Sequence, residues 1–142
     1  FRRIGGFSED PALTGLDDAE FFARLFVSGA RLRYEPGVVQ QWVRHDRNYS
    51  QSGPFQEARL VLIAHLRGLA ECHPQIAGVL GRFTHDVHYM RGLYFLENGR
   101  RREALPEFLR AVRSYPLFPN TYYLLLKSLL LSAASLSAGR AG

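Results

Sequence analysis

Apolar and polar positions change period near residue 54, and that change organises the chain. Before it, Asp17, Asp18 and Glu20 precede an apolar group at Phe21, Phe22, Leu25 and Phe26. That spacing lays the apolar side chains along one helical stripe, and acids in the first turn suit the helix dipole. Gly29 is the expected stop. Residues 31–35 then alternate polar and apolar, the period of a half-buried strand. Pro36-Gly37 signals a turn. Val38, Val39, Trp42 and Val43 predict a second extended segment running into Arg44 and His45. The polar, turn-forming cluster at 48–54 reads as a boundary.

After the boundary the period is helical throughout. Phe55, Ala58, Leu62, Leu66 and Leu69 predict a first helix, broken at Pro74. Ile76, Val79, Leu80, Phe83, Val87 and Met90 continue a second, ended by Asn98-Gly99. A third spans about 101–115, with Pro116 after it. A fourth begins near Asn120-Thr121 and runs through Leu131. The expected fold class is α+β, mainly α: a segment of helix plus short strands over 1–53, then antiparallel helical hairpins over 54–142. Gly92, Phe95, Gly99, Ala104, Phe108, Ala111 and Pro116 fall at the spacing of a tetratricopeptide repeat, and that resemblance implies one unit over 85–118. Small residues let two helices approach, Phe108 fills the groove, and Gly99 turns the chain. Pro106 departs from the pattern, because proline removes a helix donor.

Composition narrows the class. Among 142 residues, 46% are apolar, 13% aromatic and 22% charged, which is globular. The net charge is +5, with Arg residues scattered among acids except at Arg100-Arg101-Arg102. Solvated helix ends or an anionic-lipid patch both account for that run; no nucleic-acid partner is expected. The single cysteine, Cys72, allows no intrachain disulfide and fits a reducing compartment. Residues 122–131 are interrupted by Lys127 and too short for a span of roughly 20 residues, though an interfacial helix is compatible. The expected location is cytoplasmic, with peripheral attachment at the inner membrane surface as an alternative. The opening Phe1-Arg2-Arg3-Ile4-Gly5-Gly6-Phe7 reads as mid-domain sequence, so the chain is expected to begin inside a larger protein.

Residues 4–50 carry the candidate chemistry. They read Ile4-Gly5-Gly6-Phe7-Ser8-Glu9, then a short loop. Asp17-Asp18 follows at a helix start, with Arg24 on that helix, then Gly29, a predicted strand, Pro36, and Val43-Arg44-His45. This order and spacing resembles the C-terminal part of the family 2 glycosyltransferases of the GT-A fold. The resemblance implies transfer of a sugar from a nucleotide-sugar donor to an acceptor hydroxyl, with inversion, and with Mg²⁺ or Mn²⁺ in the intact parent. It implies that Asp18 is the general base, accepting the proton of the attacking hydroxyl. It places Gly5 and Gly6 where backbone approaches the sugar, Asp17 in the position of the family's usual Glu, Arg44 facing diphosphate oxygens, and His45 near a metal ligand. Ser8 stands where the family usually has Asp.

Plainer readings accompany each of these. Asp17-Asp18 also suits a helix N-terminus, His45 a strand end, and Gly5-Gly6 an ordinary turn. His85 and His88 share a helix face without an evident third zinc ligand. Cys72-His73 beside Pro74 reads as a helix end. The nucleotide-binding half of the family and its Asp-x-Asp motif are not in the sequence, and neither is a dinucleotide glycine fingerprint. The fragment alone is therefore expected to be inactive and to hold no metal of its own. The alternative expectation is a helical protein-interaction or dimerisation module without catalysis.

Overall fold

A computed structural model describes residues 4–31, 33, 35–37, 43 and 48–138, with side chains described as far as Leu130. Five α-helices lie among these residues: α1 (Asp17–Val27), α2 (Gly53–Cys72), α3 (Pro74–Glu97), α4 (Arg101–Ser114) and α5 (Pro119–Ala138). Most of the described residues are helical, and no strand occurs among them. The expected α+β class is therefore corrected to all-α. A strand is completed only by a partner that takes its backbone hydrogen bonds and covers its apolar face. Arg31, Arg33 and Glu35 are irregular and exposed, and Arg33 Nε pairs locally with Glu35 Oε1 at 2.8 Å in open solvent. Leu32 and Tyr34 lie outside the described residues. So do residues 38–42 and 44–47 of the second extended segment.

The chain divides into two compact units, Phe1–Ala77 and Gly78–Gly142. The polar cluster read as a boundary is where α2 begins, and α2 remains in the first unit. There it packs on α1 and on two short 3-10 turns, Pro11–Leu13 and Tyr49–Gln51. Asp10 starts the first turn by accepting the Ala12 N–H at 2.9 Å, and Leu13 is fully buried. Ser52 caps α2 by accepting the Phe55 N–H. Phe55, Ala58, Leu62 and Ile63 form the buried face of α2. On α1 only part of the predicted stripe is covered: Phe21 is buried, while Phe22 and Phe26 are 54% and 64% exposed.

In the second unit α3 ends on Gly99. The Arg100 N–H bonds Phe95 O at 2.8 Å and the Gly99 N–H bonds Leu96 O at 3.2 Å. This pair of bonds satisfies terminal carbonyls that would otherwise be orphaned. The chain turns directly into α4. Phe95, Ala104, Phe108 and Ala111 are buried, and Tyr89, Leu93, Leu124 and Leu125 pack against the Phe95–Ala104–Phe108 cluster. A Cβ on Gly92 would sit 2.6 Å from the Phe108 ring, so the ring's place is set by the missing side chain. α4 continues through Pro106 at the loss of one internal donor. No helix among the described residues is long and apolar enough to cross a membrane.

The Gly92 contact yields a first prediction. Alanine would gain about 1 kcal/mol of helix propensity but would overpack a fully buried ring, which costs up to about 3 kcal/mol. Gly92→Ala is therefore expected to lower stability by about 2 kcal/mol in urea denaturation. A more stable variant would mean the ring can yield.

Candidate functional site

The site begins with two glycines in the left-handed region, Gly5 at φ 83° and Gly6 at φ 72°. Non-glycine residues rarely adopt such angles. A Cβ on Gly5 would meet nothing closer than Arg24 Nη1 at 3.7 Å. The requirement for glycine there is one of backbone angle, not of space.

Arg24, on α1, holds this loop. Its Nη1 donates to Ile4 O, and its Nη2 donates to Gly6 O at 2.6 Å. The same guanidinium donates from Nε to Glu20 Oε1 at 2.7 Å and from Nη2 to Glu20 Oε2 at 2.8 Å. Glu20 is buried. The fork geometry of Arg allows this double engagement. The hydrogen bonds to Glu20, and then its charge, hold the Arg24 pKa above its ordinary value against the opposing effect of burial. Phe7 packs on Phe21 with ring centroids 4.8 Å apart, adding an apolar contact between loop and helix. Ser8 Oγ accepts the Asp10 N–H at 3.2 Å, so this side chain shapes the loop itself.

Asp17 and Asp18 open α1 after Leu16, which offers no side-chain cap. Asp18 is exposed, and its Oδ1 accepts the Ala19 N–H at 2.7 Å. Asp17 is half-buried. Neither forms an ion pair among the described residues. At about 100° per residue, Asp17, Glu20 and Arg24 share one face of α1, and Asp18 lies about 120° away from Arg24. The structure thus joins the Gly5-Gly6 loop to the helix of the aspartate pair, with Asp17 on the loop's side and Asp18 turned toward solvent. Arg44 and His45 lie outside the described residues. Among the described residues no three His, Cys, Asp or Glu side chains are grouped to hold a metal ion.

A second polar cluster went unread in the sequence. Glu107 on α4 is only 4% exposed. His88 Nδ1 lies 2.7 Å and Arg91 Nε 3.4 Å from its Oε2, and Arg110 Nη1 donates to Oε1 at 2.6 Å. Burial pushes the Glu107 pKa up, but the His88 hydrogen bond and the charges of Arg91, His88 and Arg110 outweigh it and hold the carboxyl below its ordinary value. The legible signal was an acid on the helical face of Ala104, Phe108 and Ala111, since a charge among core positions demands partners. The other histidine, His85, is buried; its Nε2 lies 2.8 Å from Thr121 Oγ1 and its Nδ1 2.9 Å from Asp86 Oδ1. Its ring stacks on Phe118 at 4.5 Å. Both histidines thus tie α3 to its neighbouring helices. No family model, no curated protein and no solved structure matches this chain.

Proposed function

We propose that residues 4–29 are the acceptor-side corner of a glycosyltransferase that moves a sugar from a nucleotide-sugar donor to a hydroxyl. One observation carries this reading: Arg24 binds the Gly5-Gly6 loop to the helix that opens with Asp17-Asp18. The loop and the helix that the family resemblance names thus belong to one compact unit, with Asp18 about 120° around that helix from Arg24. Asp18, exposed and free of cationic partners among the described residues, is the base that takes the acceptor proton. Asp17 sits on the loop's side. Donor and divalent cation (Mg²⁺ or Mn²⁺) would be held mainly by residues outside this sequence, with Arg44 and His45 contributing. The isolated chain is expected to transfer no sugar, and mass-detected transfer by it would refute that. In an enzyme carrying this segment with a donor-binding half, Asp18→Asn is the decisive variant.

A second reading is favoured by α5. Tyr122, Tyr123, Leu126, Leu129 and Leu130 are exposed along one side, away from the buried Thr121 and Ser128. The residues after Ala77 include nine basic and four acidic, whereas those up to Ala77 include nine of each. An uncovered apolar stripe on a basic unit suits an amphipathic partner helix with acidic flanks. Binding of such a peptide should weaken at least 10-fold in Leu126→Glu and fall with added salt. Self-association in sedimentation, or equal binding by the variant, would discard that partner.

A further inference from the structure

Building on the glycosyltransferase reading, we propose that Glu20 and Arg24 form a positioning pair that sets the Gly5-Gly6 backbone, and that Arg24 is not a ligand for the donor's phosphates. An Arg facing a glycine loop in a nucleotide-sugar enzyme invites the opposite assignment, because guanidinium and phosphate match well. The geometry argues against it. A guanidinium has five N–H donors. Four are committed: two to Glu20, one to Ile4 O and one to Gly6 O. Glu20 also neutralises the charge, and it is buried where water cannot replace Arg24 as its partner. One N–H remains, so a diphosphate could take Arg24 in the two-pronged way only by stripping the loop or abandoning that carboxylate.

The loop has reason to need a clamp. Two consecutive glycines carry the largest backbone entropy of any pair, and neither has a side chain with which to anchor itself. Fixing the carbonyls of Ile4 and Gly6 from one planar group removes that freedom around Gly5. Lysine cannot reproduce this, since a point charge with three donors lacks the flat fork. A pair that served only as an ion pair on α1 would tolerate lysine, because Glu and Lys four residues apart still attract.

The test uses this chain, ¹⁵N-labelled. In Arg24→Lys the Gly5 and Gly6 amides should drop from rigid order parameters near about 0.85 to below about 0.6, with α2 unchanged. Glu20→Gln, which keeps an acceptor but not the charge, should loosen the loop less. In an enzyme that carries this segment with a donor-binding half, saturating UDP should leave the Arg24 Nε resonance in place. A loop that stays rigid in Arg24→Lys overturns the positioning role, and an Arg24 Nε shift on adding UDP overturns the exclusion of phosphate. Should Arg24→Lys fail to fold, an equally rigid loop in Glu20→Gln overturns the pair. None of these readouts involves sugar transfer, so failure of Asp18→Asn to slow the parent enzyme would strike the catalytic reading and leave the clamp standing.

Discussion

Replacing Glu107 with alanine is expected to destabilise the second unit by about 3 kcal/mol or more, close to the loss of a whole buried ion cluster. The carboxylate meets His88, Arg91 and Arg110 at once. Removing it takes a counter-charge from Arg91 and Arg110 and a hydrogen-bond partner from His88. The three partners do not contribute equally. Arg110 is 55% exposed, so its share is screened and small. His88 and Arg91 are at 12% and 6%, and they carry the effect. The pH dependence has a definite sign. The Glu107 pKa is lowered in the folded state, so its stabilisation is complete above the ordinary carboxylate value of 4.5. It is lost as pH falls through the folded value, which lies below that. Thermal melts from pH 7 to pH 3 should show this loss in the wild type and a flatter profile in Glu107→Gln. Equal profiles would mean the cluster contributes nothing to folding.

Asp18→Asn carries the largest expected effect on rate. Removing a general base typically costs 10²–10⁴-fold in turnover. Asparagine keeps the shape of aspartate and can still accept the Ala19 N–H that Asp18 Oδ1 accepts now. The helix start should therefore survive, and only proton acceptance is lost. In an enzyme with both halves, kcat should fall by about two orders of magnitude or more while donor binding stays within a few-fold. Asp17→Asn provides the control, because its side chain lies on the face of Glu20 and Arg24. A larger loss in Asp17→Asn than in Asp18→Asn would move the base by one residue, and wild-type turnover in both would end the catalytic reading.

Several features were legible in the sequence because they are local. The breaks at Pro74, Gly99 and Pro116 and the helices between them follow from backbone chemistry and from spacings of three and four residues. The spacing of Gly92, Ala104, Phe108 and Ala111 already placed small residues opposite an aromatic, and Gly92 does lie against the Phe108 ring. The Glu20–Arg24 pair was readable as an i,i+4 pair, but its hold on Ile4 and Gly6 was not. Those bonds cross 20 and 18 residues of chain, and no period reports a contact at that range.

What the sequence settled by itself was where helices begin and where the punctuated ones stop, since those choices depend on neighbours a turn away; α5, with no such signal after Leu131, runs on to Ala138. The tertiary structure alone decided that Arg31, Arg33 and Glu35 belong to no strand, that Phe22 and Phe26 stay exposed, and that Glu107 gathers His88, Arg91 and Arg110. Pairing, burial and charge neutralisation are made between distant segments, and alternation or amphipathicity states only what a segment could bury if something came to cover it.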